Sequence, residues 1–223
     1  MNGTRSRPLR SHDLKLHSRE SYIRRLRKSR LRSEFHTRIA SEMLGHGNAT
    51  IIVDIGCGPG LLGKRIRELN PTARIIGIDI DRRMLSIAQS AEGLESLLAS
   101  ASALPIKDVS IPVIVSSASL KDWADPSGGL REIARVLRIG GTAFIFEFIT
   151  KGPGSHPPRF LWRFGLLSEV FRFLGRFLIP FSLNDVQTLA QGLASEGTVE
   201  VSMISDLGAS RLAFTKTRLS EVT

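Results

Sequence analysis

A chain of 223 residues with 42% hydrophobic and 23% charged residues suits one domain of ordinary size with a sizeable core. The single cysteine, Cys57, excludes an intrachain disulfide, no Cys/His cluster has zinc spacing, and no apolar run approaches the roughly 18 residues that cross a bilayer, so we predict no metal site and no transmembrane segment. The net charge of +10 is unevenly distributed, and the chain lacks the apolar region of a secretory signal peptide, which favours a cytoplasmic protein.

The basic charge is concentrated at the N-terminus. Residues 1–38 carry twelve Lys/Arg and three acids, a net charge of +9, so the rest of the chain is almost neutral. This Arg-rich segment is typical of a mitochondrial targeting peptide, of a helix that contacts a polyanion (a nucleic acid or an anionic membrane surface), or of a solvated helix that keeps a protein soluble. We define residues 1–45 as a basic arm and helix. Apolar residues recur there every four positions and are expected to pack on the body: Leu31, Phe35, Ile39 and Met43.

Strands and helices alternate through the next hundred residues. The predicted strands are Thr50–Ile55, Ala73–Ile80, a weaker one at Leu97–Ser100, Ile111–Ser117 and Thr142–Ile149. The predicted helices between them are Leu61–Leu69, Arg82–Ser90 and Gly128–Leu137. This alternation indicates βαβ units and a parallel sheet covered on both faces.

An aromatic and basic segment at 151–181 interrupts the alternation. It holds six of the eleven phenylalanines, Trp162 and four arginines. A helix at Leu183–Gln191 and two edge strands at Val199–Ile204 and Arg211–Thr217 follow it. The prediction is a doubly wound α/β domain over residues 46–223, with a mostly parallel seven-stranded sheet and an insertion at 151–181.

The stretch "VDIGCGPG", Val53 to Gly60, places a carboxylate and three glycines at the end of the first strand. Ligands of doubly wound sheets bind at the carboxyl ends of strands, and glycines there allow left-handed dihedrals and close approach of the backbone. The overlapping letters "GPGLLG", Gly58 to Gly63, also match the dinucleotide fingerprint G-x-G-x-x-G. Two cofactor classes therefore compete for one loop.

Two carboxylates favour a cationic nucleoside cofactor over a dinucleotide. Asp54 would repel a pyrophosphate but suits a positively charged ligand such as S-adenosylmethionine, which carries an ammonium and a sulfonium group. Asp79 ends the second strand, where a carboxylate can accept hydrogen bonds from ribose hydroxyls. Alternatively, a strand-end aspartate caps the next helix, and Asp81 can take that role here.

At these residues the sequence resembles the class I S-adenosylmethionine-dependent methyltransferases. "VDIGCGPG" is similar to their first motif and "GIDID" to their acidic second-strand motif. "LREIARVLRIGGTAFIFEF" and "SSASLKDWADP" resemble segments of the small-molecule and quinone-biosynthesis members. The resemblance covers about residues 51–148 well and the last forty residues loosely. It does not cover the arm or the aromatic segment.

The resemblance implies S-adenosylmethionine as cofactor and a role for each matching residue. Asp54 and Gly56 would hold the methionine end, with Gly58 and Gly60 completing the loop. Asp79 would take the ribose hydroxyls. Four further positions would line the remainder of the cofactor: Ile80 against the adenine, Ser102 where the family commonly has an acidic residue, Ala103 through its backbone, and Ser116 facing the methyl group. Inserts after the fifth strand cover the acceptor in this family, so the segment 151–181 would be an aromatic and basic lid that lines an apolar pocket. Alternatively, the segment rests at a membrane interface, stacks on bases, or packs on the sheet as a helical pair.

The catalytic residues stay unassigned. A base is needed only where the acceptor must lose a proton, and Lys121, Asp122 and Glu147 are the candidates at the strand ends. Three function classes remain open. They are transfer to a small or lipophilic acceptor, transfer to RNA or protein with help from the arm, and cofactor binding without turnover.

Overall fold

The alternating strands and helices form one seven-stranded sheet in a computed structural model that describes residues 21, 23–24, 26–45, 50–148, 183–206 and 209–217. The strands are β1 (Ile51–Ile55), β2 (Arg74–Asp79), β3 (Glu95–Leu98), β4 (Ile111–Ser117), β5 (Leu137–Phe148), β6 (Val199–Asp206) and β7 (Ala209–Lys216). The helices are α1 (Arg30–Gly45), α2 (Leu61–Leu69), α3 (Arg82–Glu92), α4 (Pro126–Val136) and α5 (Leu183–Ser195). The predicted lid at 151–181 lies outside the described residues.

The strand order is β3-β2-β1-β4-β5-β7-β6, and the pairs from β3 to β5 are parallel. The chain order therefore reverses between β1 and β4, and the crevice at their carboxyl ends is where doubly wound sheets bind ligands. The predicted doubly wound, mostly parallel seven-stranded sheet is confirmed.

Each face of the sheet carries its own helix layer and core. Residues of α1, α2 and α3 pack with β1 and β5 in one cluster, which includes Ile39, Leu62 and Ala88. Residues of α4 and α5 pack on the other face in a second cluster, which includes Ile133 and Leu193. Both faces of the central strands are thus buried, as their nearly continuous apolar sequences require. None of the helices in the described part of the chain is long and apolar enough to span a bilayer.

The N-terminal helix is divided at Ser29, whereas the sequence predicts one helix from about residue 18 to 44. The Ser29 hydroxyl accepts a hydrogen bond from the Arg32 amide at 3.3 Å, as an N-cap does, and α1 begins at the next residue. Ile39 and Met43 are buried, and Phe35 packs edge-on against Phe146 of β5. The prediction that this apolar stripe packs on the body is confirmed for these three residues.

Strand β7 is not an edge strand, contrary to the prediction for Arg211–Thr217. It lies between β5 and β6 and pairs antiparallel with both. Its alternate residues Leu212 and Phe214 are buried, since a strand inside a covered sheet packs at least one face against a helix layer. In the described part of the chain, β6 forms this edge of the sheet.

Candidate functional site

The loop after β1 is built from three glycines with left-handed dihedrals. Gly56, Gly58 and Gly60 have φ of 71°, 53° and 80°. The Gly56 and Cys57 amides donate to the Ile78 carbonyl of β2 at 2.7 and 3.1 Å, which fixes the loop against the neighbouring strand. The loop therefore turns sharply over the carboxyl edge of β1 and β2.

The three glycines differ in the free space next to the α-carbon, and this difference indicates where a ligand can approach. A methyl group at Gly56 would overlap the Ser119 side chain, and one at Gly60 would lie 2.7 Å from Leu94. A methyl group at Gly58 would meet no atom of the described residues within 4 Å. Gly58 is thus the open position of the loop, whereas the other two glycines are required by the fold itself.

Asp54, the fourth residue of β1, is a buried carboxylate beneath this loop. It is 1% exposed, and its Oδ2 has no hydrogen-bond partner among the described residues. Burial, with a smaller contribution from Asp79, raises its pKa to about 7. An unpartnered buried carboxylate needs a cation or a donor, and the ammonium group of S-adenosylmethionine meets that need.

Asp79 joins the glycine loop to the start of α3. Its Oδ2 accepts from the Gly58 amide and its Oδ1 from the Asp81 amide, both at 2.8 Å. Each carboxylate oxygen has two acceptor sites, so these bonds leave capacity for ribose hydroxyls. The next helix is capped by Asp81, whose side chain accepts from the Arg83 amide.

Ser119 and Trp123 belong to the site, although neither is among the candidate residues predicted from the sequence. The Ser119 hydroxyl donates to the Ile55 carbonyl at 3.2 Å and accepts from the Trp123 indole at 3.2 Å. It also bonds at 2.7 Å to Ser116, whose side chain is fully buried. This network ties the segment after β4 to the end of β1, directly beneath Gly56.

The predicted adenine end lies at the carboxyl ends of β2 and β3. Ile80 is 77% exposed there, so its side chain is accessible to an adenine ring. The Ser102 hydroxyl lies 3.0 Å from that of Ser100, and the exposed Ala103 donates its amide to the Ser100 carbonyl. Ser102 thus has a hydroxyl, not a carboxylate, available in this loop.

The three candidate bases are held in structural contacts. Glu147, buried at the end of β5, accepts from the Lys121 amide at 3.2 Å. The Lys121 ammonium donates to the Ala118 carbonyl and pairs with Asp122. These contacts fix the turn after β4, and no catalytic base is assigned from them.

A family model described as a methyltransferase domain matches residues 53–145. The demethylmenaquinone methyltransferase of Thermus thermophilus is 33% identical over 58% of this chain and 56% of its own length, and that of Deinococcus radiodurans is 29% identical over 63% and 56%. An uncharacterized 37.1 kDa protein in a Streptomyces fradiae transposon is 37% identical over 43% of this chain and 29% of its own. The chain therefore spans about half the length, or less, of these relatives.

Solved structures share the fold. A putative S-adenosylmethionine-dependent methyltransferase from Methanococcus maripaludis superposes with a TM-score of 0.70 at 20% identity, over 98% of this chain and all of that one. A possible histamine N-methyltransferase from Thermotoga maritima gives a TM-score of 0.65 at 18% identity, over 91% and 97%. The family resemblance, and with it the cofactor class predicted from the sequence, is confirmed.

Proposed function

We propose that the protein transfers a methyl group to a small or lipophilic acceptor. The premise is that residues 53–145 form a class I S-adenosylmethionine-dependent methyltransferase domain. The observation that carries the proposal is Asp54. Within the part of the chain that the structure describes, this buried carboxylate has an oxygen without a partner and lies under a glycine loop that is open at Gly58. A dinucleotide would bring a pyrophosphate, whose negative charge Asp54 opposes.

The residues assigned to the cofactor would contact three parts of it: the methionine end, the ribose and the adenine. Asp54 and Gly56 would hold the methionine end, with Ser116 and Ser119 supporting Gly56 from below. Asp79 would hold the ribose, and the exposed Ile80 would cover the adenine, flanked by Ser102 and Ala103. The bound cofactor supplies a methyl group on a sulfonium, which is already activated for displacement. The protein's part is to align the acceptor and exclude water, which lowers the barrier without a covalent step.

The names of the relatives support a quinone-like acceptor. The relatives from Thermus thermophilus and Deinococcus radiodurans are both named demethylmenaquinone methyltransferases, and that name implies a quinone acceptor for them. The aromatic composition of residues 151–181 fits an apolar acceptor as well, since phenylalanine and tryptophan bury large apolar surfaces. We therefore place the acceptor pocket at the carboxyl end of β5, from which this lid segment follows in the chain.

The test is methyl transfer from labelled S-adenosylmethionine to a demethylated quinone dispersed in detergent, beside calorimetry with S-adenosylmethionine and with NAD. We expect binding of the first cofactor only, and label in the quinone. In the lid, Trp162→Ala with Phe164→Ala should preserve cofactor affinity and reduce turnover. Tight NAD binding without S-adenosylmethionine binding would refute the assignment, whereas cofactor binding without turnover on any acceptor would support a non-catalytic cofactor-binding protein.

Replacing Asp79 with Ala should weaken cofactor binding by about 2–4 kcal/mol, because two hydrogen bonds from ribose hydroxyls to a charged acceptor are lost. The loss of the Gly58 amide contact acts in the same direction, since it frees the loop. Calorimetric titration measures the effect. The matched control is Asp81→Ala, which removes the α3 cap at a cost of about 1 kcal/mol in stability and leaves cofactor affinity unchanged. Equal affinities of the Asp79 variant and the wild type would mean that this carboxylate does not hold the ribose.

A second candidate function is methylation of RNA or protein, which the basic N-terminus favours. In that case residues 1–38 would contact a polyanion, either a nucleic acid or an anionic membrane surface. We propose further that residues 46–223 carry the methyltransferase domain and residues 1–45 form an extension, of which α1 packs on the domain. A cytoplasmic location fits both functions, and the Arg-rich terminus is compatible with mitochondrial targeting.

A further inference from the structure

The two helix layers of the sheet differ sharply in charge. Helices α1, α2 and α3 together hold eight Lys/Arg and four Asp/Glu, whereas α4 and α5 hold two of each. Residues 21–29, which precede α1, add four Lys/Arg and no acid. The excess positive charge therefore belongs to one face of the folded body, in addition to the terminal segment before it.

The four acids of this layer are all engaged. Three of them form one ion pair each: Glu34 with Arg30, Glu42 with Arg211, and Glu68 with Arg65. The fourth, Glu92, is buried and pairs with both Arg27 and Lys64. Counted over α1, α2 and α3, basic residues therefore exceed acidic ones by four.

The pair of Arg27 with Glu92 also links the described residues that precede α1 to the body. Arg27 donates to the Glu92 carboxylate at 2.9 Å, and Ile23 is buried one turn earlier. Arg24 and Lys28 are exposed, lie four residues apart, and have no acidic partner among the described residues. Together with Arg30, whose side chain is 90% exposed and forms a solvent-exposed pair with Glu34, they form what we call the basic face.

One member of the basic face, Arg30, lies near the edge of the sheet that binds the cofactor. Helix α1 ends at Gly45, shortly before the first residue of β1, and its Phe35 contacts Phe146 near the carboxyl end of β5. The helix therefore runs from the carboxyl edge to the opposite edge. Arg30 precedes Phe35 by five residues, or roughly 7 Å along the axis, and so lies further toward the carboxyl edge.

We propose that the basic face docks this protein on an anionic lipid bilayer, with the carboxyl edge of the sheet turned to the membrane. The inference rests on the proposed function, because a lipophilic acceptor is dissolved in the bilayer and must reach that edge. Exposed Lys and Arg side chains are attracted by the negative surface potential of anionic lipids. A lipophilic acceptor of this kind favours a membrane over a nucleic acid as the anionic surface that the basic face contacts.

The experiment is co-sedimentation of the full chain with vesicles of phosphatidylcholine alone or mixed with phosphatidylglycerol. The test variant is Arg24→Gln, Lys28→Gln, Arg30→Gln. The control variant is Lys107→Gln, Arg131→Gln, Arg138→Gln, which removes the same charge from exposed sites outside α1, α2, α3 and the residues before them. We expect binding only to the mixed vesicles, weakening with salt. The test variant should bind about a hundredfold more weakly, at roughly fivefold for each cation near the surface, and the control should bind like the wild type.

Other outcomes overturn the inference. Equal losses in both variants would mean that net charge alone drives the attraction, and binding to RNA but not to vesicles would assign the basic face to a nucleic acid. Turnover on a detergent-dispersed quinone separates this inference from the proposed function. Vesicle binding without turnover on any quinone would refute the acceptor and leave the docking surface standing. Equal turnover of both variants, without vesicle binding, would support the quinone acceptor and refute the docking surface.

Discussion

Replacing Asp54 with Asn will stabilise the protein without cofactor and weaken its binding of S-adenosylmethionine. The Asp54 carboxylate is buried, one of its oxygens has no partner in the described ranges of the chain, and burial raises its pKa from 3.8 to about 7. Because each pKa unit corresponds to about 1.4 kcal/mol, the ionised carboxylate costs the free protein on the order of 4 kcal/mol. A neutral amide avoids this cost but offers no negative charge to the ammonium group of the cofactor.

The pH dependence of the Asp54 effect has a definite sign. The native carboxyl group binds its proton more tightly than the unfolded chain does, so the free energy of unfolding falls as pH rises from 3.8 to about 7 and stays level above that. The advantage of Asp54→Asn should therefore grow over this window. Cofactor affinity of the wild type should rise through about pH 7, because binding of a cation requires the ionised form.

Urea unfolding and calorimetric titration at several pH values, in buffers of different ionisation enthalpy, measure both effects. Below pH 7 the wild type should release a proton on binding the cofactor, and the Asn variant should not. Glu68→Gln is the control, since it makes the same change in net charge at a half-exposed surface pair of small energetic value. An Asn variant with unchanged affinity, or with lower stability at pH 8, would show that Asp54 is not the partner of the cofactor's cationic end.

The sequence predicts the paired carboxylates of the site because they depend on local patterns and one topological rule. Asp54 and Asp79 each stand at or near the end of an apolar run, and consecutive runs separated by a helix pair in parallel. The carboxyl ends of β1 and β2 therefore meet, and Asp79 lies within hydrogen-bond distance of the Gly58 amide. Apolar periodicity, glycine positions and βαβ topology are enough for this part of the site.

Other parts depend on contacts that no local pattern encodes. Ser119 bonds to the Ile55 carbonyl, 64 residues earlier in the chain. Its only sequence signal is the segment "SSASLKDWADP", in which serine is as common in solvated turns as in buried networks. The sequence also does not predict that β7 lies between β5 and β6, because a short strand with an alternating pattern fits either an edge or an interior position of a sheet. The break at Ser29 is not predicted either, because the sequence is compatible both with one continuous helix and with a new helix capped by this serine.

Replacing Gly56 with Ala should have the largest effect on the glycine loop. Gly56 has φ of 71°, a conformation that costs other residues roughly 1–2 kcal/mol. The added methyl group would also lie only 2.5 Å from the Ser119 Cβ, so the serine must move. That movement breaks its bonds to the Ile55 carbonyl, Ser116 and Trp123. We expect a loss of several kcal/mol in stability and of at least a hundredfold in cofactor affinity.

Two other glycines separate backbone strain from the clash. Gly140, near the start of β5 and far from the site, has φ of 72°. A methyl group added there would meet no atom of the described residues within 4 Å, so Gly140→Ala should lower stability only through the strain of its dihedral. Gly58→Ala should cost a similar amount of stability but also weaken cofactor binding, because its methyl group would enter the open space above the loop. Adding Ser119→Gly to the Gly56 variant should recover part of its stability, as a double-mutant cycle in urea unfolding will reveal. If Gly56→Ala destabilises no more than Gly140→Ala, the serine has moved without cost. The network beneath Gly56 then does not hold the loop in the shape that binds the cofactor.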